Sequence, residues 1–382
     1  MRKDFEYLSE KDIYLDASCQ SLRPAPVLAA MREYYEQFNS CGERVRYRWG
    51  KIVDAKVEET RAQVLEWLGL SSRKYLVSFT LNTTYGINLI LNQIKPNIFS
   101  KIVTSDIEHN SVFLTSVVFA KKHGIQRVVI ERNDDGSLPL SEDFKNTLVV
   151  LNSVSNIDGR KLENLKEVVK KVHKDGGRII IDAAQTMAHH AEILKKVEAD
   201  AICFSAHKMY SASLGVVVFR QDFLDALEVS FLGGGMVDDA REDSFDLSYF
   251  SPNHVHTVFE PGVQAYAETV ALNAAIDWLG KQDKKALERK SQRLYDFLAC
   301  HPKVHLINRK PSSVISFYVD GIDSHALAES LSRAGVMARS GYFCCHYYLK
   351  NRKKYPPLLR FSFGYHNTET DIDKIIEILS VI

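Results

Sequence analysis

Three stretches of this chain end apolar runs in residues that can do chemistry. The first, "DAICFSAHK", closes on Ser205, His207 and Lys208, which brings a hydroxyl, an imidazole and an amine to one place. Most lysines sit on solvated surfaces. A lysine that closes a buried strand has its amine held in a crevice, where a lowered pKa makes it a nucleophile or a base. The second stretch, "RIIIDAAQT", offers Asp182 and, three residues on, Gln185. The third, "SFTLNTTYGINLIL", sets Asn82, Thr83 and Thr84 between an apolar run and a helical pattern. Free amides and hydroxyls at a helix start make a seat for phosphate. Taken singly, Asp182 reads equally well as a helix cap, and the 82–84 stretch reads better as one.

The elements that must position these residues are legible as a rhythm. Seven short apolar runs, "KYLVSF", "KIVTSD", "RVVIER", "TLVVLNSV", "RIIIDAA", "AICFSA" and "GVVVFR", alternate with helix-like segments and read as buried parallel strands. Between two of them, "LENLKEVVKKVHKDGG" has helical apolar spacing, a basic last turn and a glycine pair that stops it. This is βαβ winding, an α/β unit with helices on both faces of a sheet, and its ligands collect beyond the carboxyl ends of the strands. The texture changes after "YAETVALNAAIDWLG": short runs such as "SVISFYV" and "LLRFSFGY" mix with "HALAESLSRAG" and "DIDKIIEIL". The natural division is a large unit over 15–289 and a smaller α+β unit over 290–382, with residues 1–14 packing on the smaller one.

Composition narrows the class of function. A chain of 382 residues suits about two domains at roughly 150 residues each. Its 49 lysines and arginines balance 48 acids, so no field of one sign argues for nucleic acid or a membrane surface, and a small-molecule substrate fits better. The N-terminus mixes acids and bases where a secretory signal needs an apolar core, and no run reaches membrane-spanning length, so the expectation is a soluble cytoplasmic protein. Cys19, Cys41, Cys203, Cys300, Cys344 and Cys345 are too scattered for a disulfide framework and form no zinc pair, so reduced thiols are expected. No Walker loop, dinucleotide fingerprint or zincin helix is present. His254 and His256 share a spacing but have no third ligand in view, and no metal is expected. The basic and aromatic cluster "ERVRYRWGK" reads as a subunit contact or an active-site entrance rather than a nucleic-acid patch.

The set is more specific than its members. A phosphate seat, then an acid, then a lysine on successive strand ends are what pyridoxal 5'-phosphate needs: donors for its phosphate, an acid to keep its ring nitrogen protonated, and an amine for a Schiff base. Around these residues the chain resembles the class V aminotransferase family of fold type I pyridoxal phosphate enzymes, and most of all its branch of cysteine desulfurases and selenocysteine lyases. The resemblance is carried in order by "IYLDASCQSLRPAP", "NTTYGINL", "IEHNSVFLT", "SNIDG", "IDAAQT", "FSAHKMY", "LGGGM", "FEPGVQ", "RSGYFCCH" and "RFSFGYHNTETDID".

It implies a mostly parallel seven-stranded sheet between helices, with a smaller α+β domain following. It implies Lys208 as the covalent anchor, Asp182 on the ring nitrogen, His109 stacked on the ring, and Gln185 and Asn156 near the ring oxygen and the substrate. Thr84, Ser205 and His207 match the phosphate ligands, with Thr83 as the alternate for Thr84. Arg360 matches the arginine that receives the substrate carboxylate, a role that suits its bidentate fork. Cys344 aligns with the thiol that takes sulfur from L-cysteine as a persulfide and leaves alanine. Arg339 and His346 are its chain neighbours, and Arg339 is a further candidate for substrate binding. Cys345 reads better as a packed side chain. A homodimer and a sulfur-acceptor protein follow from the same resemblance.

The pattern departs in places. Ala17 stands where the family usually has asparagine, "MYSASLG" replaces a Gly-Pro turn behind the lysine, and Val263 replaces a threonine that reaches the neighbouring subunit's phosphate. "GYFCCHYY" lacks the histidine pair and proline that flank the cysteine in many desulfurases. Two other readings therefore stand beside the first. One is a class V aminotransferase, epimerase or C–S lyase acting on another amino acid, in which Cys344 is incidental. The other is a non-catalytic protein built on the same fold.

Overall fold

Strand residues that are apolar at every position must be covered on both faces. In the computed structural model, which describes residues 2–42, 45–247 and 259–381, Leu148, Val149, Val150 and Leu151 are fully buried, as are Ile179, Ile180 and Ile181 in the strand beside them. Alternate side chains enter different cores. Val149, Leu151, Ile179 and Ile181 face one, and Leu148, Val150 and Ile180 face the other.

These strands lie in a seven-stranded sheet with the spatial order Tyr75–Thr80, Gly215–Arg220, Ala201–Ser205, Arg178–Asp182, Thr147–Asn152, Lys101–Ser105, Gln126–Ile130. All seven apolar runs of the sequence are its strands. Six are mutually parallel, and Gly215–Arg220 runs against both of its neighbours, which corrects the parallel reading of "GVVVFR". The reason is the length of the connection. Only residues 206–214 join it to the preceding strand, whereas a parallel return needs a crossover of about a dozen residues or more.

The helix Leu165–Lys174 buries Leu165, Val168, Val169 and Val172, and its last turn holds Lys171, His173 and Lys174 against the negative end of its dipole. Gly176, at φ +85°, turns the chain back toward the sheet. Helices Thr83–Gln93 and Asn110–His123 begin just after two of the other strands.

A second, antiparallel sheet has the order Val304–Leu306, Val314–Val319, Leu358–Ser362, Arg339–Gly341. Its core takes Phe317 and Phe361 from the strands, Leu287, Leu294 and Leu298 from the helix Lys284–Cys300, and Ile372 and Ile375 from the helix Glu369–Leu379. Ile13 and Leu15 join the same core, because Ile13–Tyr14 pairs in parallel with Val336–Met337. The chain then runs on beside Ser362, whose carbonyl accepts from the Ala17 amide and whose hydroxyl accepts from the Ser18 amide.

Among the described residues no helix is long and apolar enough to cross a membrane, and no cluster of three or more metal-ligating side chains is present. His254 and His256, and Glu43 and Arg44 of the basic cluster, lie outside the described residues.

Candidate active site

A cavity of about 570 Å³ lies beyond the carboxyl ends of the central strands. Asp182 is the last residue of its strand and Ser205 the last of the next, and the tight 3-10 turn Ala206–Lys208 follows Ser205 directly. Thr83, Thr84, His109, Asn156, Asp182, Gln185, Ser205, His207 and Lys208 all line this one cavity, together with Asn82, Ser111 and Asn152.

One end of the cavity is a helix N-terminus. Asn82 caps the helix Thr83–Gln93 by accepting from the Tyr85 amide at 2.9 Å. The Ser205 hydroxyl accepts from the Thr83 amide at 2.8 Å and lies 2.6 Å from the Thr83 hydroxyl, which ties the helix start to the lysine-bearing strand. The cap expected on general grounds is therefore present, and the same residues line the cavity. Gly215 makes this closeness possible, since a Cβ there would lie 2.5 Å from the Asn82 amide nitrogen and 2.3 Å from the Thr80 hydroxyl.

At the centre are an amine, an acid and an imidazole. Burial lowers the pKa of Lys208, against the opposing pull of Asp182, and the Arg360 charge lowers it further. Burial likewise raises the pKa of Asp182, although the Ala184 amide donates to it at 2.9 Å. His109 caps the helix Asn110–His123 through its Nδ1, which accepts from the Ser111 amide at 3.1 Å. Burial, with the charges of Lys208, Arg360 and Arg339, pushes its pKa down to about 3, so the ring is neutral. His207 is pushed down to about 4 by burial and the Lys208 charge. The Gln185 amide donates to the Ser18 carbonyl at 2.8 Å, which links this wall to the N-terminal segment.

Beneath His109 lies a buried ion pair that the sequence reading missed. Glu108 and Arg132 meet at 3.1 Å, each almost fully buried. Glu108 also accepts from the Asn152 amide at 2.7 Å, and Arg132 donates to the Asn152 carbonyl at 2.7 Å. The pair locks the residue before His109 to the end of a neighbouring strand. Glu108 is next to His109 in sequence, but nothing in the pattern marks Arg132 as its partner.

The remaining candidates come from the second sheet. Arg360 is 2% exposed; it donates to the Asn156 carbonyl at 3.0 Å and to the Asp16 carboxylate at 2.8 Å, and its guanidinium lies 4.7 Å from the centre of the Phe343 ring. Arg339 is its cross-strand partner and donates to the Cys19 sulfur. Cys344 is half-buried at φ +58°, directly after Phe343 at φ +45°, and its carbonyl accepts from the Asn110 amide at 2.6 Å. Cys345 is fully buried and donates to the Asn156 side chain at 3.0 Å, and burial holds its pKa well above that of a free thiol. His346 meets the Asn110 side chain at 3.3 Å.

The departures noted in the sequence have structural answers. In the turn behind Lys208 the Ser211 amide donates to the Ala206 carbonyl and the Ala206 amide to that of Leu214, while Tyr210, Ser211, Ala212 and Leu214 are buried. Side chains therefore fill this turn. Ala17 is buried against the second sheet, and Val263 is 77% exposed.

The donor set fits pyridoxal phosphate. Asp182 is a buried carboxylate with no ion-pair partner among the described residues, and it lines the cavity, where a protonated ring nitrogen would give it a charge partner. A helix start with hydroxyls and a buried amine complete the set. A mixed seven-stranded sheet with a lysine turn at its carboxyl edge is the large-domain plan of fold type I pyridoxal phosphate enzymes. Within that class the chain belongs to the class V aminotransferase family, whose model matches residues 13–375.

Among curated relatives, a probable cysteine desulfurase of Pyrococcus abyssi is 30% identical, across 99% of this chain and 96% of the relative. Another from Haemophilus influenzae is 32% identical, across 97% and 86%. Among solved structures, the apo cysteine desulfurase of Thermococcus onnurineus superposes with a TM-score of 0.86 at 28% identity, covering 97% of this chain and 94% of that one.

Proposed function

We propose that this protein is a cytoplasmic, homodimeric cysteine desulfurase or selenocysteine lyase, which removes sulfur or selenium from L-cysteine or L-selenocysteine, leaves L-alanine and hands the chalcogen to an acceptor protein. The observation that supports this reading is Asn156, in the wall of the cavity that holds Lys208: its carbonyl accepts from Arg360, and its side-chain amide donates to the Phe343 carbonyl next to Cys344.

When bound, pyridoxal phosphate supplies the electron sink that makes the substrate Cα proton acidic. This chain's residues do the rest. Thr83, Thr84, Ser205 and His207 hold the phosphate, Asp182 keeps the ring nitrogen protonated, and the neutral His109 covers the ring. Gln185 and Asn156 orient the ring oxygen and the substrate. Arg360 receives the substrate carboxylate, and Arg339 stands beside it. Lys208, whose pKa burial lowers, takes the Cα proton. The Cys344 thiolate then attacks the substrate sulfur and retains it as a persulfide.

The test is to incubate cofactor-loaded protein with L-cysteine and a reductant and to assay alanine and sulfide together. Equal release is expected. Amino transfer to a 2-oxo acid, or pyruvate in place of alanine, overturns the reading.

A further inference from the structure

The turn that carries Cys344 is tight, and positive charge follows it at once. The Cys345 amide donates to the Tyr342 carbonyl at 2.8 Å, and the two residues between them, Phe343 and Cys344, both have positive φ. Positive φ at both central residues marks a turn of type I′, with Cys344 as the second of the two. The Leu349 amide donates to the Cys345 carbonyl at 3.0 Å, so the helical segment Tyr347–Arg352 is bonded directly to the cysteine turn. The segment also folds back on that turn, since the Lys350 Nζ lies 5.9 Å from the centre of the Tyr342 ring.

Lys350, Arg352, Lys353 and Lys354 are all exposed. No aspartate or glutamate stands between Glu329 and Glu369, although the whole chain is balanced at a net charge of +1. Among the described residues Glu131 is the carboxylate paired with the cluster, at 2.6 Å from Arg352 and 3.6 Å from Lys353. Asp134 is taken by Arg309 at 2.7 Å. Lys350 and Lys354 have no carboxylate partner among the described residues, so the cluster keeps a surplus of positive charge. That surplus lies beside the turn of the thiol expected to hold the substrate's sulfur.

We propose that the basic cluster over residues 350–354 is the docking surface for an acidic, thiol-bearing acceptor protein that takes sulfur from Cys344; this rests on the desulfurase reading above. In the transfer step the acceptor's thiol attacks the outer sulfur of the Cys344 persulfide. The bond between that atom and Cys344 Sγ breaks, a bond to the acceptor's sulfur forms, and the electron pair leaves on Cys344 Sγ, which takes the proton of the attacking thiol. One persulfide and one thiol are present before and after, so no external oxidant or reductant enters. The lysines take no part in the exchange. They raise the rate at which an acidic face arrives beside the turn, the chief effect of complementary charge at a surface. A protein fits better than a nucleic acid, because the step needs a thiol and because Glu131 stands within the cluster.

The test supplies cofactor-loaded protein with L-cysteine and one of three acceptor peptides of equal length, each with a single cysteine flanked by glutamate, serine or lysine. Alanine release and added sulfur on the peptide are followed together. The ratio of kcat/KM for the glutamate peptide to that for the serine peptide should fall about tenfold at low salt between wild type and the double variant Lys350→Glu, Lys354→Glu. Comparing ratios cancels the intrinsic reactivity of the thiols. The wild-type ratio should also fall as salt is raised to about 0.5 M, because exposed charges are screened. Turnover supported by dithiothreitol, a small neutral thiol, should stay within about twofold in the variant, since both lysines are on the surface. An equal ratio in wild type and variant, with alanine released under dithiothreitol, overturns the docking surface and leaves the desulfurase reading standing. Tight binding of an RNA oligonucleotide that the variant loses, with no discrimination among the peptides, overturns it in favour of nucleic acid. No alanine with any thiol overturns both. A measurement independent of turnover is fluorescence anisotropy of the labelled glutamate peptide, its cysteine alkylated, on the resting protein: binding at least about threefold weaker in the variant is expected, and equal binding contradicts the proposal.

Discussion

The wall of the site built by the large sheet and the wall built by residues 339–346 are made in different ways. Asp182, Ser205 and Lys208 stand where fully buried strands end, and helix caps at Asn82 and His109 fix the opposite side. Their positions follow from two apolar cores. The cysteine loop rests on a smaller apolar cluster, in which Phe343 and Cys345 pack with Ile107, Ile157 and Leu358. Phe343 and Cys344 both occupy the left-handed region, at φ +45° and +58°, which costs a non-glycine residue of order 1–3 kcal/mol. Besides the Asn110–His346 contact, three long-range bonds clip the loop: Asn110 amide to Cys344 carbonyl, Asn156 side chain to Phe343 carbonyl, and Cys345 thiol to Asn156. On the proposed function, the strand ends and helix caps seat the cofactor, and the cysteine loop clipped to them carries the sulfur chemistry. The two functions should therefore be separable by mutation.

The sharpest break on the rigid side is Lys208→Ala. Loss of the anchoring amine and proton acceptor should lower turnover by at least ~10³-fold and abolish the visible absorbance of lysine-bound cofactor. Turnover within tenfold of wild type contradicts the assignment.

On the loop side, Asn156→Ala removes two of the three clips and leaves the buried Phe343 carbonyl and Cys345 thiol without them. A loss of about 1–3 kcal/mol of stability is expected in urea unfolding. Alanine release should fall roughly tenfold, the scale of about 1.4 kcal/mol in the barrier. Cofactor should stay bound, with its absorbance maximum shifted by the lost Asn156 contact near the ring oxygen. A parallel loss of cofactor binding would show that the two walls are not separable.

The smallest effect is a graded response to acid. His109 and His189 are pushed down to about 3 and His366 to about 4, each chiefly by burial, from an ordinary value of 6.5. Below 6.5 the unfolded chain binds protons that the folded chain refuses. The stabilisation is whole above 6.5 and is lost as the pH falls toward the folded values, by at most about 1.4 kcal/mol per histidine per pH unit. The urea midpoint should be steady from pH 8 to 7 and drop between about pH 6.5 and 5; a midpoint unchanged at pH 5 contradicts the burial argument.

The same contrast governs what could be read from the sequence. The apolar runs of the inner strands were plain because full burial leaves no room for charge inside a strand, whereas the edge strand Gln126–Ile130 is half-buried and holds Arg127; Asp182 and Lys208 stood out as charges at run ends. The direction of Gly215–Arg220 lay in the length of a connection rather than in its residues. The contacts of Arg339 with Cys19 and of Arg132 with Glu108 join segments 320 and 24 residues apart, and no local periodicity reports them. The packed turn at 209–214 was visible only as a departure, because its meaning lies in what Tyr210 and Leu214 bury.

The central claim is that Lys208 and Cys344 act on one substrate from independently built walls, and Cys344→Ser tests it most directly. L-cysteine is added to the cofactor-loaded variant while its absorbance and the release of alanine are followed together. A spectral response to L-cysteine like that of wild type is expected, with alanine release reduced at least ~10²-fold, since loss of a nucleophile removes the chemical step and leaves binding intact. Alanine and sulfide released at the wild-type rate would contradict it.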